Sequence, residues 1–553
     1  MSPVTNDHQT GLLAQAQRIA DEFNFGPEDV QRVAGHFVRQ MRDGLVNNRA
    51  WQLPSFVTSV PTGAEKGTFL AVDLGGSNCR ICLVNLHGDS TFTVTQSRHR
   101  VPPEVMVCQS YKPLFDFIAG KIGDFLVENS ASDAKGHNGI HDQRATPYRL
   151  GFTFSFTCEQ TSLASGTLIR WDKGWDIPEA VGKDPCMMLQ EAIDKLELPV
   201  LVTVLANDSV GTLLTRSYTA GQKSSTLAAV IFGTGTNAAY VEKISNLKRL
   251  GTARGGTGQI MVINTEWGCL DDKMEVLPRT LYDDQLDTES TDPGSQMFEK
   301  RISGMYLGEL LRLVLVQLVQ GGAFEMSVNK ESTLLQRQGV DSSFLSELAI
   351  AGSGSRASTL VENHLSAKNV TISDVQAIQV LSTAIVRRAA RLAGASLAAI
   401  LIQSGRLESS LAQMKYPDAQ ISEREASATT NTPISSVQRL RLKLNSLLRR
   451  IIKLFARLNL SRQKSPSASI LPRFSKTVEP DPEKSIIDIG ADGSLFELYP
   501  TFEADIRGAL QEVQEIGQAG ENKVRIGLAK DGSGVGAALM AQAAFEMEKR
   551  EEQ

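Results

Sequence analysis

At 553 residues the chain exceeds what one ordinary hydrophobic core organises, and two or three domains are expected. Its 41% hydrophobic and 22% charged residues exclude a wholly disordered or membrane-embedded protein, and no uncharged apolar run approaches the roughly 18 residues of a membrane span. The net charge of −5 conceals a local excess: eleven Lys or Arg and no acid lie between Ser436 and Val478.

The N-terminus, Met1 to Thr10, is polar and has no apolar signal-peptide core. Leu12, Leu13, Ala16, Ile19 and Phe23 then recur at helical spacing, and Gly26-Pro27 resets the chain into a second helix ending near Val46. Residues 56–67 read as a loop feeding Thr68-Phe69-Leu70-Ala71-Val72, a buried strand that turns through Asp73-Leu74-Gly75-Gly76. Paired glycines leave amides bare to face an anion, and an aspartate at the strand end can hold a metal ion through water. This suggests a phosphate-and-Mg²⁺ corner, although a Gly-Gly after a strand is also how a plain tight turn reads. A second copy strengthens the first reading. Leu227–Phe232 is another buried strand, followed by Gly233-Thr234-Gly235-Thr236-Asn237, so two related lobes facing one nucleotide are expected.

Cys79 and Cys82 have C-x-x-C spacing but sit inside an apparent strand with no second pair, so they read as buried thiols. Phe115 to Val127 reads as a helix, 129–147 as a polar surface loop, and Leu150–Thr157 as an alternating strand. Gly166–Trp175 packs aromatics around Asp172 and Lys173, which suits either a surface ion pair or a polar pocket stiffened by rings, as for a sugar. The strand Val202–Leu205 ends in Asn207-Asp208, either a substrate-recognition pair or a helix N-cap. Met261–Gly268 ends another apolar strand in a polar cluster, and Pro293–Lys300 opens a long amphipathic helix expected to run through Leu318. Three or four strand ends converging with hydrogen-bonding residues point to a site. A strongly helical segment covers 374–402. Near the C-terminus, Ile486–Leu495 and Val524–Ala538 are strand–Asp-Gly-Ser turns, the second leading into a helix to Met547. Such turns let a flat base and ribose approach the backbone closely.

Together these motifs resemble the eukaryotic hexokinase family, of the fungal and animal hexokinase/glucokinase type. The residues that carry it are AVDLGGSNCR at 71–80, LGFTFSF at 150–156, SGTLIRWDKG at 165–174, NDSVGTL at 207–213, FGTGTNAAY at 232–240, NTEWG at 264–268, PGSQMFEKRISGMYLGEL at 293–310, DGSLFELYP at 492–500 and DGSGVGAAL at 531–539. They keep the family's order and span roughly 12–405 and 484–547. The resemblance implies an α/β, two-lobed, actin-like (ribonuclease H-like) fold with a central cleft. The expected parts are N-terminal helices in 1–67, a small lobe in 68–214, and a large lobe in 215–547 interrupted at 406–480. It further implies ATP-dependent phosphorylation of the 6-hydroxyl of glucose or a related hexose in a cytoplasmic protein. Carried over, Ser155, Phe156, Asp172, Lys173, Asn207, Asp208, Asn237, Glu266, Gln296 and Glu299 hold the sugar. Asp208 is the expected base, with Lys173 and Arg80 also catalytic. ATP and Mg²⁺ fall to Asp73 (the metal through water), Gly75, Gly76, Ser77 and Asn78, with Gly233, Thr234 and Gly235 on the phosphates. Asp492, Gly493, Ser494, Gly532 and Ser533 fall near the adenosine.

Four departures stand out. Thr157 replaces a family proline, which frees a fixed φ; Asp172 replaces a threonine and can divert Lys173; Ser77 replaces a threonine but keeps the hydroxyl. The fourth is an insertion of about 75 residues between the long helix and the nucleotide segment. Its flanks, 408–435 and 461–480, are Ser/Thr/Ala/Pro-rich and are expected to be disordered. Its middle, 436–464, carries a helical apolar stripe with nine Lys or Arg between Arg439 and Lys464. This suits an anionic membrane such as the mitochondrial surface, a protein partner, or a helix packed on the large lobe. Nucleic acid is disfavoured, because no aromatics interleave the charge. The substitutions and the insertion also raise the alternative of a catalytically weak, sugar-sensing regulator.

Overall fold

The computed structural model describes residues 5–133, 147–171, 174–221, 225–251, 259–407 and 486–551. Asp172, Lys173 and residues 408–485, which take in the insertion except for Arg406 and Leu407, lie outside the described residues.

Two sheets grow from the two buried strands anticipated above, Lys66–Leu74 and Ser225–Phe232. Leu70, Ala71, Val72, Ala228, Ala229 and Val230 are fully buried, as strands covered on both faces require. The first sheet runs in the order Phe92–Arg100, Asn78–His87, Lys66–Leu74, Tyr148–Phe154, Val200–Ala206. Its first three strands are mutually antiparallel, and the last two join in parallel. The second runs Leu53–Pro54, Ile260–Asn264, Thr236–Lys243, Ser225–Phe232, Ile487–Asp492, Val524–Leu528, with the same antiparallel-then-parallel pattern. Without the two-residue edge strand, the two sheets share one order and one set of directions. That repeat is the two-lobed, actin-like architecture.

Parallel neighbours need helical crossovers, supplied in the first sheet by Lys112–Asp133 and Pro185–Lys195. In the second, a helical run ending in Ile372–Ser404 serves, and the N-terminal helices Thr5–Glu22 and Pro27–Val46 pack on that long helix. The C-terminal helix Gly532–Glu551 follows the last strand of the second sheet yet packs on the first. It crosses Asp208–Ala220 closely: a Cβ on Gly536 would lie 2.1 Å from the Gly211 Cα, so neither glycine can be replaced without separating the helices.

The helix expected from 293 through 318 is broken. Glu299–Ile302 forms one turn, Ser303 is extended, and Gly304–Gln320 starts afresh. The break lets the Gly304 and Met305 amides donate to the Gly233 and Thr234 carbonyls at 2.8 and 3.1 Å, so the second glycine turn substitutes for a cap. Underneath, fully buried Asp488 accepts from Arg216 (2.6 and 2.8 Å), Arg525 (2.7 Å) and Thr226 (3.0 Å), clamping the helix Asp208–Ala220 to the second sheet. Cys79 and Cys82 are free and buried, and burial pushes the Cys82 thiol up to about 12. Among the described residues no helix is long and apolar enough to cross a membrane.

Candidate active site

Register places Arg80 directly opposite Asp73, because Asn78–His87 folds back on Lys66–Leu74 through the Gly75-Gly76 turn. Arg80 Nη2 donates to Asp73 Oδ2 at 3.0 Å, and its Nη1 to Asp531 Oδ1 at 3.1 Å. The Ser533 hydroxyl donates to Asp73 Oδ2 at 2.7 Å and accepts from Arg80 at 2.6 Å. Burial works against the guanidinium charge, but Asp73 and then Asp531 raise its pKa above the ordinary value. Gly75 N donates to Asn78 O at 3.0 Å, and Ser77 O accepts from Val101 N at 3.0 Å, which shapes the turn.

The aromatic segment buttresses this corner. Trp171 and Trp175 stack 5.5 Å apart at 13°, Phe156 meets their rings at 4.7 and 5.1 Å, and Trp175 Nε1 donates to Gly76 O at 2.7 Å. One indole thus ties the aromatic segment to the Gly75-Gly76 turn. Ser155 N donates to Leu74 O at 3.2 Å, so the Ser155-Phe156 turn leaves from the same strand end. Thr157, free of the family's proline, is held by Ile169 N on its carbonyl at 2.9 Å.

Asn207 and Asp208 open the helix Asp208–Ala220. Asn207 is the cap: its Oδ1 accepts from Ser209 N at 3.0 Å and from the Ser209 hydroxyl at 2.6 Å. Asp208 Oδ1 also accepts from Ser209 N, at 2.8 Å, which turns the carboxylate toward the helix start. The turn before the C-terminal helix packs here: Thr215 Oγ1 donates to Gly532 O at 3.2 Å, and a Cβ on Gly532 would lie 2.8 Å from the Thr212 Cα.

From the other sheet, Asn237, Asn264 and Glu266 form a chain. Asn237 Nδ2 donates to Asn264 Oδ1 at 2.9 Å, and Asn264 Nδ2 to Glu266 Oε1 at 2.8 Å. Glu299 Oε2 accepts from Thr236 N at 3.0 Å beside Gly235. Glu266 and Gln296 both have left-handed backbone, φ +46° and +55°, conformations that side-chain-bearing residues hold only when neighbours fix them. Gly268 lies between: a Cβ there would meet Gln296 Oε1 at 2.3 Å, so these residues converge on one spot.

The Gly233-Thr234-Gly235 turn closes with Gly233 N donating to Gly235 O at 3.0 Å. Gly493, at φ +109°, sits on it; its Cβ would lie 2.3 Å from the Phe232 carbonyl carbon. Asp492 and Ser494 are therefore carried to the second corner. Burial raises the Asp492 pKa, and Arg80 and Asp531 are close enough to act on it. Ser533, expected near the adenosine, is bonded to Asp73 and Arg80. Three contributors were not singled out from the sequence: Asp531, Asn264 and the Trp175 indole as a hydrogen-bond donor.

A family model described as Hexokinase matches residues 15–218, and a second of the same description matches 227–543. Over 98% of this chain and 99% of the relative, the sequence is 40% identical to the glucokinase of Aspergillus niger. It is 34% identical to glucokinase-1 of Saccharomyces cerevisiae over 96% of this chain and 97% of that one. Among solved structures, the hexokinase from Schistosoma mansoni complexed with glucose superposes with a TM-score of 0.71 at 28% identity, covering 97% of this chain and 99% of that one.

Proposed function

This chain belongs to the hexokinase family, and we propose that it transfers the γ-phosphoryl group of ATP to the 6-hydroxyl of glucose or a related hexose with Asp208 as base. The observation that carries the residue assignment is the turn Asp531–Ser533. It bonds Asp73 and Arg80 of the phosphate corner and packs on the first turns of the helix that Asp208 begins.

In this reading Ser155, Phe156, Asn207, Asn237, Glu266, Gln296 and Glu299 hold the hexose, with Asp172 and Lys173 closing the set. The Asn237–Asn264–Glu266 chain fixes amide and carboxylate orientations before sugar arrives, so little ordering remains for binding to impose. Asp208 accepts the hydroxyl proton as the oxygen attacks phosphorus. The transition state is loose, so the protein's work is alignment and charge neutralisation. Arg80 supplies positive charge, and the Gly75, Gly76 and Gly233–Gly235 turns supply amides that need not reorganise. The oxygen-only groups Asp73, Asp531 and Ser533 fit Mg²⁺, which keeps much of its water and takes phosphate oxygens. When bound, that ion would offset the triphosphate charge, with Asp73 holding it through water.

The test is an ADP-coupled assay with glucose, fructose, mannose, glucosamine and N-acetylglucosamine. Turnover on the order of ten per second with at least one hexose is expected. Hexose binding without ADP production would instead establish the regulatory reading. The segment 436–464 is proposed as a docking element for an anionic membrane surface; deleting it should abolish cosedimentation with vesicles containing phosphatidylserine and leave turnover intact.

A further inference from the structure

We propose that Asp272 is a positioning residue of the hexose site: from the loop after Glu266 it holds in place the left-handed turn that presents Gln296 and Glu299. The proposal rests on the sugar-site reading given above. Asp272 Oδ1 accepts from Met297 N at 2.9 Å, and the neighbouring Gln296 amide also acts on the carboxylate. One residue on, Phe298 N donates to Gly268 O at 3.1 Å, so the two loops are joined edge to edge. The turn's outer end is anchored differently. Asp287 accepts from Gly294 N at 3.0 and 3.1 Å and from Lys300 Nζ at 2.6 Å, and Lys300 also donates to Asp292 O at 2.6 Å. The turn therefore hangs between two carboxylates: Asp287, neutralised by a buried lysine, and Asp272.

Among the described residues no cation comes within ion-pair distance of Asp272. The charged or titratable groups that act on it are Lys300, already committed to Asp287, and Arg170, from the segment that carries Trp171 and Trp175. The Cys269 thiol, itself pushed up by burial and by Glu266, lies beside it. Asp272 is half-buried, and with its charge poorly matched, burial raises its pKa to about 6. Ionised, it makes charge-assisted bonds to backbone amides; protonated, it gains a donor with no use there and the bonds weaken. Hold on Gln296 and Glu299 should slacken as pH falls through that value.

Steady-state kinetics of the full-length protein from pH 5 to 8 test this, alongside Asp272→Asn, which keeps an acceptor without charge, and Asp272→Ala, which removes both. For Asp272→Ala the expected result is a hexose KM raised about tenfold or more, with kcat and the ATP KM changed less than about threefold. In the wild type the hexose KM should rise below about pH 6, and in Asp272→Asn that rise should be absent. An unchanged hexose KM in folded Asp272→Ala, or the same acid profile in wild type and Asp272→Asn, would overturn the proposal. Should Asp272→Ala fail to fold, the Asp272→Asn profile decides alone. If the wild type turns over no hexose, glucose binding followed by tryptophan fluorescence across the same pH range makes the comparison. Absence of glucose binding as well would fell the sugar-site reading and this inference together.

Discussion

The two glycine corners occupy equivalent positions in two sheets of identical strand order, yet they are built in opposite ways. The first is wired by side chains: Arg80, Asp73, Ser533 and Asp531, with Arg80 22% and Asp531 47% exposed. The second is locked by main chain, through Gly304 N and Met305 N on its carbonyls and Gly493 pressed against Phe232. Charged contacts within reach of water can be exchanged for a ligand's charges; backbone bonds and steric contacts cannot. One fold thus yields an adjustable corner and a fixed one.

Four substitutions probe that contrast. Asp208→Asn removes the proposed base, on which both corners would converge, and should lower kcat by up to about 10⁴-fold with hexose binding retained; a loss under about tenfold would mean another base. Arg216→Met strips one of two arginines from buried Asp488 beneath the fixed corner and should cost about 1.5–3 kcal/mol in denaturant unfolding. Burial alone would raise the Asp488 pKa, but Arg216 and then Arg525 bring it below the ordinary carboxylate value. Its stabilising contribution is therefore present above about pH 4 and disappears as the solution is acidified further, and Arg216→Met should flatten that acid limb. Arg80→Ala, at the adjustable corner, should lower kcat/KM for ATP by about 10²–10³-fold while unfolding stability changes by no more than about 1 kcal/mol. Gly493→Ala should do the reverse, losing at least about 1–3 kcal/mol of stability from a φ of +109°. If Arg80→Ala melts like Gly493→Ala, the distinction between the corners fails.

Both corners were visible in the sequence because each is local: a run of buried residues, then glycines within a few positions. A convergence of polar strand ends was legible as a pattern, but that Asn237, Glu266, Gln296 and Glu299 belong to it came only from the family resemblance. The bonds that hold these residues were not visible at all. Ser533 lies 460 positions from Asp73, and nothing local to either announces the other. The break at Ser303 was hidden for a related reason: the apolar period runs on to Leu318, and only the distant carbonyls of Gly233 and Thr234 make a fresh helix start favourable. Asp272 reads as one more surface acid until the amide of Met297 is brought to it. Asn207 caps its helix, as its position at the strand end allowed.

The C-terminal helix returns from the second sheet to complete the first, and so sets a schedule on the ribosome. Every strand of the first sheet is synthesised by Ala206, but Asp73 and Arg80 receive their serine only when residue 533 emerges. A nascent chain halted before that point has every strand of the first sheet but lacks the serine that bonds Asp73. The Asp73–Arg80–Ser533 contact therefore cannot form until long after the first sheet has been synthesised.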